Sequence, residues 1–104
     1  MIITTTYQIE GRTISEYLGL VAGETIVGAN VIKDFFANIR DVVGGRVKSY
    51  EKTLASARET AIQELMQRAT EVSAEAVLGV QVTYASIGQM LMVNVVGTAV
   101  RFSK

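Results

Sequence analysis

The chain has 104 residues, which suits one domain over residues 1–104 and is too short for two independent cores. Ten Lys and Arg residues balance ten Asp and Glu residues, so the basic footprint of a nucleic-acid binder or a polybasic membrane binder is missing. The sequence contains no Cys and no His, which excludes disulfides, thiolate and imidazole metal ligands, Cys nucleophiles and His-based triads.

The N-terminal residues lack the features of a secretory signal peptide. Met1 to Tyr7 contains no basic residue and no extended apolar stretch. The most apolar run, Met90–Val96, is far shorter than a membrane-spanning helix and is interrupted by Asn94. We therefore expect a cytoplasmic protein that has neither a membrane nor a nucleic acid as its partner.

Alternation of side chains predicts strands in the first part of the chain. Ile3, Thr5, Tyr7 and Ile9 share one face of a predicted strand over residues 2–9. A turn over residues 10–12, a second strand over residues 13–22 and a short third piece over residues 25–28 are predicted next, with a break at Gly23-Glu24.

The apolar period then changes to that of helices. Apolar residues three and four apart predict a helix over residues 30–43, with Asn30 as its N-cap and Gly44 as the residue that ends it. A second helix is predicted from Ser49 to Val72 and would span roughly 35 Å, the longest element of the domain. Its apolar stripe consists of Tyr50, Leu54, Ala57, Ala61, Ile62, Leu65, Met66, Ala69 and Val72.

Two more strands are predicted after the long helix, over residues 77–84 and 90–102. Strands at both ends and helices between them favour the α+β class. We expect an antiparallel sheet packed in two layers against one long and one shorter helix.

The last predicted strand is apolar on both faces. Leu91, Val93, Val95 and Ala99 occupy one face, and the other face holds Met90, Met92, Val96, Val100 and Phe102. A strand with one face in water should alternate apolar and polar residues instead. A second copy of the chain is the simplest cover for the second face, so we predict a homo-oligomer. The alternative is that the helix predicted over residues 30–43 covers that face within one monomer.

A set of motifs along the whole chain resembles the YbjQ family. In order they are Glu16-Tyr17-Leu18-Gly19, Gly23-Glu24, Asp34-Phe35-Phe36, Gly44-Gly45-Arg46, Ser49-Tyr50-Glu51-Lys52, Leu54, Ala57-Arg58, Ala61, Ala74-Glu75-Ala76-Val77-Leu78-Gly79-Val80, Met90-Leu91-Met92-Val93 and Gly97-Thr98-Ala99-Val100. The resemblance implies a dodecin-subunit-like α+β domain that assembles as a ring-shaped homopentamer. The family is uncharacterised and is labelled as heavy-metal-binding. The chain departs from its pattern at Val47-Lys48, at Ser73, where a glycine usually ends the long helix, and in a shortened loop before Met90.

The heavy-metal label finds little support in the available side chains. Soft and borderline ions prefer thiolate, thioether or imidazole ligands, and this chain offers only four Met residues beside its ten carboxylates. Met90 and Met92 share one strand face, which is also what core or interface packing requires. We predict no metal site and no cofactor within one subunit. A site built by several subunits stays open as an alternative.

The segment Gly44–Ser49 is the best candidate for a ligand site. It is glycine-rich, carries two cations and precedes the long helix, whose free N–H groups favour an anion. A small anionic ligand would contact Gly45, Arg46, Lys48 and Ser49. The alternative is a plain helix–helix turn, with Gly44 ending one helix and Ser49 capping the next.

Five residues are candidates for an oligomer interface: Tyr50, Glu51, Arg58, Met90 and Met92. Glu51 and Arg58 are seven residues apart and so lie on one helix face, a spacing typical of salt bridges and subunit contacts. No catalytic constellation is present, so we expect a protein that is not an enzyme and that has a binding or structural role. Its main partner would be itself, most simply in a pentamer.

Overall fold

The structure of the protein is a computed structural model. It describes residues 1–28 and 44–104, and for residues 44–50 it describes the backbone only. The described elements are β1 (Ile2–Ile3), β2 (Ile14–Val27), α1 (Gly44–Glu71), β3 (Ala76–Ile87) and β4 (Met90–Phe102). The helix predicted over residues 30–43 lies outside the described residues.

Four strands form one sheet in the order β1-β3-β4-β2. β4 pairs antiparallel with both β2 and β3, whereas β1 pairs parallel with β3. The α+β class is therefore confirmed, but the prediction of a purely antiparallel sheet is wrong. β2 and α1 lie between β1 and β3 in the chain, and this long connection permits a parallel pair, which a short hairpin loop cannot form.

The strand predicted over residues 2–9 is much shorter than expected. Only Ile2–Ile3 forms a regular strand, since β3 bulges where the next pairs would form, with Gly79 at φ 61°. The hydroxyl of Thr6 donates to the carbonyl of Gln8 at 2.8 Å, and the hydroxyl of Thr4 accepts from the amide of Thr6 at 3.2 Å. Such local side-chain bonds compete with a strand ladder, which the alternation of the sequence does not reveal.

The two strand pieces predicted over residues 13–22 and 25–28 are one continuous strand, β2. The break expected at Gly23-Glu24 is absent because Gly23 has a packing role. A Cβ atom there would lie 2.7 Å from the backbone nitrogen of Leu65 and would overlap the carbonyl oxygen of Ala61. A glycine at this position lets the helix approach the sheet closely.

The long helix begins earlier than predicted. Ser49 was expected as its N-cap, but α1 starts at Gly44, so the predicted helix–helix turn over residues 44–48 is helical. Glycine has a low helix propensity in the middle of a helix, but it is common at the N-terminal end, where its cost to helix stability is small. The predicted end is confirmed within one residue, and Ser73 follows in the left-handed conformation at φ 63°.

The helix covers one face of the sheet and forms the main core with it. Its buried residues Ala57, Ala61, Leu65 and Ala69 recur every fourth position, so they form a single stripe. They pack on Val21, Val77, Val93 and Val95 of the sheet. Within residues 1–28 and 44–104, no helix has the length and hydropathy that crossing a membrane requires.

Candidate functional site

The face of the sheet that α1 does not cover is closed at one end by the N-terminal segment. Phe102 and Val100 are buried there against Leu78 and Ala76, with Ile9 and Ile14 packed beside them. The Arg12 guanidinium stacks over the Phe102 ring at 4.2 Å from its centroid and lies 3.6 Å from the Glu75 carboxylate. The chain therefore supplies part of the cover that we had expected a partner to provide.

The other end of the same face has no cover among the described residues, and we call it the open sheet face. It consists of Leu20, Ala22 and Ile26 from β2, Ala85 and Ile87 from β3, and Met90, Met92 and Val96 from β4. Cross-strand pairing aligns Ile26, Met92 and Ala85 in one row, and Ile87 pairs with Met90. Leu20 is 76% exposed, Ile26 60%, Ile87 53% and Met90 41%. Polar residues also lie on this face: Glu24, Asn94 and Thr83 form one row across it, Gln81 pairs with Val96, and Thr98 pairs with Leu20.

The hairpin formed by β3 and β4 is free of charge over almost its full length. From Ala76 to Val100 the sequence contains no Asp, Glu, Lys or Arg, although these types make up 19% of the chain. Beyond Val80, no described strand pairs with the outer edge of β3. Monomeric proteins protect such edges with charges, prolines or covering segments. The radius of gyration is 17.0 Å, against about 13 Å for a compact domain of this size, so the described shape is elongated.

The predicted interface residues fall on different surfaces. Met90 and Met92 lie in the open sheet face. Arg58 lies on the opposite side of the sheet, where its Nη1 donates to the Tyr84 hydroxyl at 3.4 Å. Glu51 is exposed on α1 and forms no ion pair within the described residues. The side chain of Tyr50 is outside the described part. The five residues thus form no single cluster.

The segment predicted to bind an anion is part of the long helix and not a loop. Gly45, Arg46, Lys48 and Ser49 lie in the first two turns of α1 rather than in a loop. Their side chains are not described, so the proposed contacts with a ligand stay a prediction. The structure corrects the predicted backbone conformation: these residues form a regular helix, whereas a glycine-rich loop that could wrap around an anion was expected.

Residues of the open sheet face outside β4 were missed by the sequence analysis. Ile26 and Leu20 belong to β2, and Ile87 lies beyond the end predicted for β3. For Ile87, the signal that would have found it is the absence of charge from Ala76 to Val100, which marks both strands of the hairpin. The residues of β2 become recognisable only once its pairing with β4 is known.

The family of the chain follows from a comparison with family models. A model of the YbjQ family, whose description reads "Putative heavy-metal-binding", matches residues 1–103. The chain belongs to the YbjQ family. The fold is also similar to a crystal structure of a DUF74-family protein of unknown function from Pediococcus pentosaceus, with 16% identity and a TM-score of 0.60. That match covers 99% of this chain and 98% of the other.

The described residues of this YbjQ protein do not fit a heavy-metal site. Within them, no three Asp or Glu side chains lie close enough together to hold an ion. Met90 and Met92 supply two thioethers to one strand face, but their cross-strand neighbours Ile87, Ala85 and Ile26 are apolar. Two thioethers without a third donor are a poor site for a soft ion. The likeness to the solved structure concerns the fold alone and gives no support for a metal site.

Proposed function

We propose that this YbjQ protein acts as a homo-oligomer with a binding or structural role rather than as an enzyme. The observation that carries the proposal is the uncharged hairpin from Ala76 to Val100, whose outer half exposes Ile87 and Met90 beside Ile26. An apolar surface of this kind on a cytoplasmic protein needs a cover. A second copy of the chain presents the same apolar surface and is present wherever the protein is made.

The sheet supports a ring rather than a closed dimer. Its two outer edges are different: β2 forms one edge, and the part of β3 beyond Val80 forms the other. When one edge of a subunit meets the other edge of the next subunit, the contact is head-to-tail, and repetition closes a ring. A two-fold contact between like edges would leave the other pair of edges free. This geometry supports the dodecin-like ring, and the pentamer is the ring that the YbjQ resemblance implies.

The role in binding or structure rests on the chemistry of the chain. Without Cys and His, general acid–base or nucleophilic catalysis at neutral pH would depend on Asp, Glu, Lys or Tyr held in a pocket. Among the described residues, the cavities are open surface depressions in which no carboxylate pair converges. A scaffold that presents several equivalent surfaces around a ring fits these features better than an active site.

Native mass spectrometry of protein purified without chelator tests the proposal. We expect one dominant species of five subunits, and the same spectrum reports the mass of any retained ligand. A protein that is strictly monomeric at micromolar concentration would overturn the proposal, since the hairpin would then be stable without a partner. A closed ring of another size would keep the self-association and correct the subunit number.

A further inference from the structure

Two arginines of α1 reach the strands on either side of β4. Arg68 donates through its Nη1 to the Ala22 carbonyl of β2 at 2.6 Å, and Arg58 donates through its Nη1 to the Tyr84 hydroxyl of β3 at 3.4 Å. β2 forms one outer edge of the described sheet, and the part of β3 beyond Val80 forms the other. The two arginines therefore mark opposite edges of one subunit.

The edge at β2 carries an excess of negative charge. The Arg68 guanidinium lies 2.5 Å from Oε1 of Glu64 and 3.9 Å from Oε1 of Glu24, so one cation faces two carboxylates. The Glu24 side chain is 52% exposed, and its contact with Arg68 is the longer of the two. Because Arg68 belongs to the helix, this contact also shows that the Glu24 carboxylate reaches around the edge of β2 to the helix side of the sheet.

The edge at β3 carries the opposite charge. Arg58 is exposed and forms no ion pair within the described residues. β3 itself contains no Asp, Glu, Lys or Arg. Glu51 shares the helix face of Arg58 but lies two turns away, about 10 Å along the axis. The β3 edge thus presents a guanidinium on the helix side of the sheet, with the Tyr84 hydroxyl as its hydrogen-bond partner.

The register of the sheet places these two edges at the same height. Pairing through β4 puts Thr83 in the cross-strand row of Glu24, so Tyr84 is one residue further along β3, about 3.4 Å. β2 and β3 run in the same direction, since both are antiparallel to β4. A second copy that continues the sheet without an offset would therefore bring its Glu24 next to Tyr84 and Arg58 of the first.

We propose that Arg58 of one subunit forms an ion pair with Glu24 of the next, an inference that rests on the homo-oligomer proposed above. The pair fits head-to-tail contact alone. Contact between like edges would set Arg58 against Arg58, or the carboxylates of Glu24 and Glu64 against their own copies, and like charges at an interface repel. The ion pair gives the assembly its direction and disfavours a two-fold dimer.

Charge reversal in the full chain tests the pair, with native mass spectrometry over a dilution series as the measurement. Arg58→Glu and Glu24→Arg should each raise the concentration at which half of the oligomer dissociates by about tenfold or more. Arg58→Gln retains an amide donor for Tyr84 and should weaken association in the same direction. Lys104→Glu is the matched control, because it makes the same change in net charge at the exposed C-terminus, and it should change association less than about twofold.

The combination of Arg58→Glu with Glu24→Arg separates an intersubunit contact from a structural role. We expect it to restore association to within about threefold of the parent, since the pair is re-formed with its charges exchanged. A role within one subunit would not be rescued in this way, because β4 lies between the two edges.

Two results would overturn the ion pair and leave the oligomer itself intact. These are single variants that associate as tightly as the parent, and single variants that dissociate without rescue by the combination. A parent chain that is monomeric at micromolar concentration would overturn the proposed function, and this contact with it.

Discussion

Gly23 of β2 lies directly beneath Ala61 of α1, so closely that a Cβ atom on Gly23 would overlap the carbonyl oxygen of Ala61. Ala61 is itself fully buried, and two of the other three stripe positions, Ala57 and Ala69, are alanines as well. Small residues on both elements therefore set the distance between the helix and the sheet. The contact involves the helix backbone, which cannot move aside as a flexible side chain can.

Gly23→Ala should consequently destabilise the protein by about 3 kcal/mol, since the added methyl group forces the helix away from the sheet. Urea unfolding followed by circular dichroism measures the change. Gly28→Ala is the matched control, because a Cβ atom there meets nothing within 4 Å among the described residues, and we expect a change below about 0.5 kcal/mol. Equal stabilities of the two variants would show that the close approach is not a packing constraint.

Ser73 ends the long helix in a conformation that favours glycine. Its amide donates to the carbonyl of Thr70 at 3.0 Å and the amide of Ala74 donates to the carbonyl of Ala69 at 3.0 Å, the two bonds of a Schellman motif. With φ at 63°, a side chain at this position is strained. Ser73→Gly should raise the free energy of unfolding by about 0.5–1 kcal/mol, as measured by thermal or urea unfolding. A loss of stability would mean that the serine side chain has a contact that compensates the strain.

The open sheet face yields a prediction about assembly. Replacing Ile87 and Met90 together by Lys should shift the protein to smaller species, because burying an unpaired ammonium at an interface costs about 3 kcal/mol or more. Size-exclusion chromatography with light scattering gives the mass of each species. Val72→Lys introduces a charge at an apolar position that is similarly exposed but lies at the end of α1, and it should leave the mass unchanged. An intact oligomer in the double variant would place the interface elsewhere.

Removal of metal should leave the protein unchanged. The chain lacks Cys and His, and its described residues bring no three carboxylates together, so we expect less than one metal ion per subunit after purification. Dialysis against a chelator should then shift neither the midpoint of thermal unfolding nor the subunit number. A stoichiometric metal content, or dissociation of the oligomer by the chelator, would instead support a site formed between subunits.

The last strand of the sheet was predictable from the sequence. β4 was expected over residues 90–102 and is found at Met90–Phe102, since long β-branched runs specify a strand without help from tertiary contacts. The beginning of α1 was not predictable, because its glycines, Gly44 and Gly45, have low helix propensity and yet are helical. The length of β1 also escaped prediction, since it depends on the bulge at Gly79 in a strand that is remote in sequence.

The open sheet face shows the same division. Met90 and Met92 are recognisable as neighbours on one strand face from their spacing alone. Nothing in the spacing connects them with Ile26 or Ile87, which join them only because β4 pairs with both β2 and β3.

The sequence by itself determined the α+β class, the long helix and the apolar character of both faces of β4, because these depend on local periodicity and composition. Tertiary structure decided which apolar face is covered. The helix covers one face of the sheet, and the N-terminal segment covers one end of the other face. Ile26, Ile87 and Met90 are left exposed. Burial is a relation between elements that are distant in sequence, so no local pattern specifies which apolar surface the described residues leave uncovered.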